Sequence, residues 1–289
     1  MQKLRDIGQD TDLTTEQGQY LLQQVMWAAR RTFVGRKLMG IRRIDPAAQT
    51  YAYDIGTEVS GAAIEHAWPG HENLDAITPN RSAVGIPNIH KEFEIGKLDL
   101  ASSRMSGTPL NTSNAESAAY KVAYAEDTML IEGWAPDGSN YTIKGLRQTA
   151  SINSATGAAW STGTNIPICM AEVMGLLMAD NIAPPYNIVV NPTNYVEALA
   201  MISGSAMTYL DWLKATIQGE VFSSPVLSES YGVCTKASPA GFFEYVLAED
   251  VSVQTEIESV RRGENMFGRV YARGLPVVYD PNAICKFGC

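Results

Sequence analysis

The chain has no long apolar run. No stretch of eighteen or more apolar residues occurs in its 289 residues, which excludes a helix that spans a bilayer. The first fifteen residues, MQKLRDIGQDTDLTT, lack the apolar centre of a signal peptide. We therefore expect no membrane partner and a cytoplasmic origin. With 45% apolar residues, the chain can bury the core of one large domain or of two closely joined ones.

Cysteine and histidine are scarce. The cysteines form no Cys-x-x-Cys pair, so we expect idle thiols and no zinc site; they are Cys169, Cys234, Cys285 and Cys289. The histidines share one stretch of predicted loop and strand; they are His66, His71 and His90. A metal site is the alternative to solvated loop histidines, but no regularly spaced carboxylates accompany them. We predict no metal and no cofactor.

Motifs of several enzyme classes are also missing. The sequence contains no Gly-x-Gly-x-x-Gly, no P-loop and no Gly-x-Ser-x-Gly. A Ser-His-Asp or Cys-His arrangement would have to recruit one of the three histidines. We predict that the chain is not an enzyme and has no catalytic residue. A soluble hydrolase with an α/β core is the alternative, and Glu126 is its only candidate carboxylate.

The longest helical pattern begins at Ser113. Ser113 and Glu116 have the spacing of a capping box, and apolar residues then recur at helical spacing towards Trp134. Glu126 lies inside this apolar stripe, where a carboxylate needs a partner because an isolated buried charge is costly. We predict an ion pair that holds the helix to its neighbours. The alternative, a catalytic pair with Asp127, is disfavoured because adjacent helical side chains point about 100° apart.

A basic segment follows the first predicted helix. That helix begins with a capping box at Thr14 and Gln17, and its predicted apolar face is Leu22, Val25, Met26, Ala29 and Phe33. Residues 17–44 contain no acid, although the net charge of the chain is −9. The cations there are Arg30, Arg31, Arg36, Lys37, Arg42 and Arg43. We predict that they contact a neighbouring subunit, with nucleic acid as the alternative partner.

Residues 57–88 form the most unusual stretch. They are rich in Gly, Pro and Ala and alternate only near their ends, and a loop of this length is uncommon within a compact domain. We predict an arm that binds another subunit, with Ile64 and Trp68 as apolar anchors. The alternative is a disordered surface loop. The stretch contains no lysine, so it cannot supply one for a covalent link between subunits.

Helices and strands alternate through the second half of the chain. Ile166–Met178 is apolar almost all round, which predicts a helix buried on several sides. Ile188–Val190 is a β-branched run that fits a central strand. Further helices are predicted at 193–202 and 208–218, strands at 222–227, 232–236, 242–247 and 269–279, and a polar connection at 250–263.

Six short segments keep a fixed order along the chain. They are Gly35-Arg36, Ile86–Ile89, Glu126-Asp127, Lys144–Leu146, Pro185–Asn191 and Asp280–Ile284. Their order and spacing resemble those of the linocin-like shell proteins, the encapsulins, and of their relatives among tailed-phage major capsid proteins. In that family the segments belong to the N-terminal helix, the extended loop, the spine helix, the strand after it, a central strand and the closing turn. The resemblance spans residues 14–287.

The resemblance implies an α+β fold of the HK97-like type found in tailed-phage capsids. It implies an N-terminal arm and helix at 1–45 and an extended loop (E-loop) with flanking strands at 46–100. A peripheral domain with the long spine helix would comprise 101–145 and 250–289, and an axial α/β domain would comprise 146–249. It also implies that the chain assembles with itself into pentamers and hexamers of an icosahedral shell.

Departures in the first helix bear on the kind of shell. Encapsulins have a tryptophan and an Ile-Asp in this helix, which helps to hold cargo, whereas this chain has Gln17–Tyr20. We therefore predict the major capsid protein of a tailed virus, located in the virion and assembled around DNA in the host cytoplasm. Its other partners would be packaged DNA without sequence specificity, a portal and decoration proteins. The alternative is the shell of an encapsulin nanocompartment that encloses a cargo protein in the cytoplasm.

Overall fold

The computed structural model describes residues 15–29, 33–56, 79–96, 111–138, 140–256 and 266–289, together with residues 99, 102, 103 and 105. Its helices are α1 (Thr15–Ala29), α2 (Gly35–Leu38), α3 (Ser113–Ile131), α4 (Asn165–Ala179), α5 (Pro192–Glu197) and α6 (Tyr209–Ile217). None of the helices in these ranges is both long enough and apolar enough to cross a membrane.

The strands of the described residues form two larger sheets and two small ribbons. In chain order they are β1 (Gly40–Arg43), β2 (Thr50–Gly56), β3 (Pro79–Gly85), β4 (Asn88–Ile95), β5 (Gly133–Trp134), β6 (Ile143–Lys144), β7 (Asn153–Ala155), β8 (Tyr186–Val190), β9 (Val221–Ser223), β10 (Tyr231–Lys236), β11 (Phe243–Glu256), β12 (Met266–Val278) and β13 (Ile284–Gly288). The ribbons are β2–β3 and β5–β6.

The first core lies between a four-stranded sheet and two helices. The sheet has the order β1-β11-β12-β4, with β1 parallel to β11 and the other pairs antiparallel. From Met266 to Ala272, alternate residues of β12 are buried, so one face of the sheet is covered. Helix α3 lies on that face through small residues, among them Ala115 and Ala119, and α1 adds Leu21. The small side chains allow the helices to approach closely.

The buried face of α1 is rotated from the predicted one. Leu21, Val25 and Ala28 are buried, whereas Leu22 and Met26 are only half-buried. Two overlapping sets of apolar residues fit helical spacing here, and contact with the sheet and α3 decides which set is covered. The predicted face was therefore correct at Val25 and wrong by about one residue elsewhere.

The N-terminus of α3 also differs from the predicted capping box. The N-cap residue is Thr112, and its hydroxyl donates to Glu116 Oε1 at 2.6 Å. The backbone N–H of Ser113 donates to Asn111 Oδ1 at 3.2 Å. The partner of Glu116 is therefore Thr112, one residue before the predicted Ser113. The helix ends at Ile131 rather than Trp134, because Gly133 and Trp134 pair with β6.

The second core surrounds a five-stranded sheet of order β7-β13-β10-β8-β9. All five residues of β8 are buried between β10 and β9, which confirms the predicted central strand at Ile188–Val190. Helix α4 is not buried all round as predicted. Ile166 and Met170 lie in its buried stripe, but Ile168 is 67% exposed. Ile168 therefore lies on the side of α4 that the described part of the chain leaves uncovered.

Other elements differ in length from their predictions. Helix α5 ends at Glu197 instead of 202, β9 ends at Ser223 instead of 227, and β12 begins at Met266 instead of 269. Strand β11 continues to Glu256 through the predicted polar connection, and it pairs with β12 on both sides of two register shifts. Register shifts between Leu247 and Ser252 interrupt its alternation. Because the pattern of period two is broken there, the sequence suggests a strand end where the strand continues.

Candidate functional site: a buried ion pair and exposed assembly surfaces

Glu126 forms a bidentate ion pair with Arg36 of α2. Arg36 Nε lies 2.6 Å from Glu126 Oε1, and Arg36 Nη2 lies 2.9 Å from Glu126 Oε2. Arg36 Nη1 also contacts Asp250 Oδ1 of β11 at 2.7 Å. Since Glu126 is only 3% exposed, this geometry satisfies a carboxylate that could not stay unpaired. The predicted ion pair between the long helix and its neighbours is present.

Asp127 has a separate set of partners. Its Oδ1 accepts the backbone N–H groups of Val34 at 3.1 Å and Gly35 at 2.5 Å, at the start of α2. Its Oδ2 accepts the Ser224 hydroxyl at 3.1 Å. A Cβ atom on Gly35 would lie 2.8 Å from Asp127 Oδ1, so glycine is required for this close approach. Glu126 and Asp127 therefore bind different groups and do not converge on a common point.

The electrostatics of this cluster keep the Arg36 side chain positively charged. Burial lowers the pKa of Arg36, but its hydrogen bonds and charge interactions with Glu126 and Asp250 raise that pKa more strongly. Burial raises the pKa of Asp250, but the hydrogen bond and the charge interaction with Arg36 lower that pKa by more, so the net shift is downward. The opposite applies to Asp127, where burial outweighs the hydrogen bonds and raises the pKa. Arg36 thus remains protonated and serves as a structural cation.

The basic segment does not act as one surface. Arg36 is engaged within the subunit by Glu126 and Asp250, and its contact with another subunit stays a prediction. Arg42 pairs with Glu244 at 3.3 Å, and Lys37 lies 5.9 Å from the centre of the Phe222 ring. Arg43 is exposed. Arg30 and Arg31 lie outside the described residues.

Only the base of the predicted arm belongs to the described residues. Strands β2 and β3 form an antiparallel ribbon, in which Thr50 pairs with Gly85 and Gly56 pairs with Pro79. The ribbon confirms paired strands at the ends of the unusual stretch. The predicted anchors Ile64 and Trp68 lie outside the described residues, so their role stays a prediction.

The cysteines are free and largely buried. Cys234 and Cys285 face each other in the β10–β13 pair. Burial raises the pKa of Cys169 to about 11 and that of Cys285 to about 12, and protonated thiols are poor nucleophiles and poor metal ligands. Within the described residues, no three His, Cys, Asp or Glu side chains are grouped as metal ligands would be. His66 and His71 lie outside that part, so the absence of a metal stays a prediction.

A small pocket lies between α1, α3 and β11. It has a volume of about 200 Å³. Apolar side chains line one side, among them Met26, Phe33 and Leu130, and the ion pair of Arg36 with Glu126 lines the other. The pocket can accept a small apolar group next to fixed charges. The predicted apolar face of α1 contributes Met26 and Ala29 to it.

An exposed apolar surface surrounds α5 and the loop that follows it. We call it the α5 surface; its exposed fractions are 64% for Val196, 49% for Leu199, 71% for Met201 and 43% for Met207. Several exposed apolar side chains close together are typical of protein interfaces. Sequence reasoning missed this surface because it predicted a helix through 202, whereas the helix ends at Glu197 and leaves Leu199 and Met201 in a loop.

Comparison with known proteins identifies the family. The model of the linocin M18 family, described as an encapsulating protein for peroxidase, matches residues 8–259. The type 1 encapsulin shell protein EncA of Myxococcus xanthus is 23% identical over 280 residues, which cover 96% of this chain and 93% of the relative. A diheme-cytochrome-encapsulin shell fusion protein of Kuenenia stuttgartiensis is 24% identical over 96% of this chain and 74% of its own length.

Solved structures share the fold at lower identity. A virus-like particle from Pyrococcus furiosus matches with a TM-score of 0.70 and 18% identity, over 93% of this chain and 98% of that protein. The capsid of Myoviridae phage XM1 matches with a TM-score of 0.66 and 12% identity, over 88% and 90%. The predicted HK97-like capsid fold is therefore confirmed. With a family model that matches most of its length, this chain belongs to the encapsulin family of shell proteins.

Proposed function

We propose that this chain is the shell subunit of an encapsulin nanocompartment, a closed particle that encloses a cargo protein. The match of residues 8–259 to a family of encapsulating proteins carries this proposal, and the two curated relatives are encapsulin shell proteins as well. The fold does not distinguish the two kinds of shell, because phage capsids and the virus-like particle match it at similar TM-scores.

The proposal replaces the viral capsid protein as the preferred function. The prediction of a viral capsid protein rested on the absence of the encapsulin tryptophan and Ile-Asp from the first helix. The helix nevertheless forms at the expected place, packs against α3, and borders the pocket lined by Met26 and Phe33. Individual side chains in a helix can change while its contact surface persists. Packaged DNA, a portal and decoration proteins belong to the viral alternative.

Cargo would bind at the pocket beside α1. In encapsulins this helix helps to hold cargo. The pocket beside it combines apolar walls with the charges of Arg36, Glu126 and Asp250. An apolar side chain from an extended cargo segment would enter it, and a polar group on the segment would meet the charges. We propose assembly and cargo enclosure in the cytoplasm.

Assembly would use several modest contacts per subunit. The α5 surface and the arm that extends from the β2–β3 ribbon are the two candidate contacts. Many copies of each contact are made in one particle, so no single contact needs to be strong. We further propose that the first core belongs to a peripheral domain and the second core to an axial domain. This division differs from the predicted boundaries at β13 (Ile284–Gly288), which pairs with β10 and β7 in the second core although residues 250–289 were predicted to be peripheral.

Particle size and particle contents test the proposal. The protein would be purified with its native neighbours, treated with nuclease, and analysed by size-exclusion chromatography and negative-stain microscopy. Closed particles of megadalton mass that contain a defined protein and no nuclease-protected DNA are expected. Particles filled with DNA would support the viral alternative, and a species of ~31 kDa would contradict a shell and favour a hydrolase or a monomeric binding module.

A further inference from the structure

Three side chains from different parts of the chain converge on the carboxylate of Glu244 at the base of the ribbon. Tyr51 of β2 donates to Glu244 Oε1 at 3.2 Å, and Arg42 of β1 donates to the same oxygen at 3.3 Å. The hydroxyl of Tyr279, which follows β12, donates to it as well. The hydroxyls of Tyr51 and Tyr279 lie 3.3 Å apart. One carboxylate thus joins β1, β2, β11 and the end of β12.

Aromatic contacts support these hydrogen bonds. The Tyr51 and Tyr53 rings are stacked with centroids 6.2 Å apart, and Tyr53 meets the Tyr279 ring edge-on at 5.8 Å. The Arg42 guanidinium lies 5.8 Å from the centre of the Tyr51 ring. Such ring pairs stabilise a contact beyond the area that they bury. We call these residues, Arg42, Tyr51, Tyr53, Glu244 and Tyr279, the Glu244 cluster.

The ribbon depends on such contacts for its orientation. In the part of the chain that the structure describes, β2 and β3 pair only with each other and not with a strand of the larger sheets. A two-stranded ribbon has little stability of its own, so contacts at its base decide how it is oriented. Near the base, Ile86 N–H donates to Gln49 O at 2.9 Å and Arg273 donates to Ala48 O at 2.8 Å. These bonds hold the backbone, whereas the Glu244 cluster holds one face of β2.

A small rotation at the base moves the far end of the ribbon by a large distance. From Tyr51 to Gly56 the strand advances roughly 16–17 Å. A rotation of about 10° at the base would then displace the far end by about 3 Å, which is close to a full van der Waals contact distance. In a shell, the rotation between neighbouring subunits determines how many copies close the particle.

We propose that the Glu244 cluster sets the angle at which the arm leaves the subunit, and that this angle selects the diameter of the shell. The inference rests on the proposed function, because it requires that the arm contacts a neighbouring subunit. Burial, followed by the hydrogen bond with Glu244, raises the pKa of Tyr279, so its hydroxyl remains a donor at physiological pH. The cluster has no role in chemistry; it positions the arm.

The experiment compares the diameters of particles formed by cluster variants. Tyr51→Phe removes one hydroxyl and keeps the ring stack, and Glu244→Ala removes the shared acceptor. Asp54→Asn is the matched control, since it breaks the exposed ion pair of Asp54 with Arg81 on the opposite face of the same ribbon. Diameters are measured by cryo-electron microscopy, and hydrogen exchange of residues 50–56 and 79–85 reports whether the ribbon is still held.

Both cluster variants are expected to assemble with a second diameter class, or with a mean diameter displaced beyond the spread of the parent particles. Exchange in the ribbon should rise, and Asp54→Asn should match the parent in diameter. Cluster variants with the parent diameter would overturn the inference, as would folded variants that form no particles. If Glu244→Ala does not fold, Tyr51→Phe decides. A parent protein that forms no particle would instead contradict the proposed function.

Discussion

At the scale of single residues, two adjacent carboxylates stabilise the same contact in different ways. Glu126 neutralises the Arg36 side chain, and Asp127 binds the backbone N–H groups of Val34 and Gly35. The Gly-Arg pair after the first helix and the Glu-Asp pair in α3 are thus two halves of one contact. Arg36 and Glu126 lie 90 residues apart along the chain.

Substitutions at the two carboxylates should have unequal effects. Among the described residues, Glu126→Gln leaves Arg36 with Asp250 as its charged partner, and we expect it to lower the free energy of unfolding by about 3–5 kcal/mol. Asp127→Asn should cost less than about 1 kcal/mol, because an amide oxygen caps a helix nearly as well and Ser224 can reverse its hydrogen bond. Urea denaturation of unassembled subunits measures both. Equal losses for the two variants would contradict the separate roles.

The third carboxylate, Asp250, makes stability depend on pH. Its folded-state pKa is lowered from 3.8 by Arg36, so its contribution is complete above that value and is lost as the pH falls through the lowered pKa. The thermal midpoint of Asp250→Asn should therefore lie below that of the parent at about pH 6 and approach it at about pH 2. Asp127 shifts in the opposite direction and cannot produce this trend. A difference that is constant with pH would show that the charge of Asp250 is unimportant.

At the scale of elements, the ribbon packs on the core through Tyr51, Tyr53 and Val84 near its base. Strands β2 and β3 end in register at Gly56 and Pro79, so a short turn can join these two residues directly. We therefore predict that the arm can be shortened while the described strands keep their pairing.

Replacement of residues 57–78 by Asn-Gly should leave a folded subunit that no longer assembles. The two residues close the β2–β3 pair as a hairpin, so the thermal midpoint should stay near that of the parent. Chromatography and circular dichroism measure assembly and folding. Trp68→Ala is the milder companion variant, with the same direction of effect. An unfolded, aggregating product would show that the segment is part of a core.

At the scale of the whole molecule, the exposed apolar residues indicate where copies meet. The α5 surface follows β8 of the five-stranded sheet, whereas the ribbon is held by Glu244 of β11 in the four-stranded sheet, so two parts of the subunit are available for contacts. Contacts of different surfaces between copies can close into a shell.

A charge on the α5 surface should reduce assembly without unfolding the subunit. Met201 is 71% exposed, so Met201→Asp changes little in the isolated chain but would place an unpaired charge in an interface. We expect a large loss of particles and an unchanged thermal midpoint of the free subunit. Met201→Leu is the matched control and should assemble normally. If Met201→Asp forms particles at the parent yield, this surface faces solvent in the shell.

The sequence alone determined the type of several elements and the buried state of Glu126. Hydrophobic periodicity is a local property, so α3, β8 and β10 could be predicted from a few consecutive residues. The order of the six short segments also identified the fold, because it reflects which elements follow one another along the chain.

Only the tertiary structure decided which partner each residue has. Arg36 was predicted to contact another subunit, yet it binds Glu126, because nothing in the local pattern reports a contact over 90 residues. The face of α1 and the course of β11 beyond Leu247 were settled by the surfaces against which they pack. The sequence also could not predict the convergence of Tyr51, Glu244 and Tyr279. Tyr51 lies 193 positions from Glu244 and Tyr279 lies 35 positions from it, so these side chains meet only when the sheet has formed.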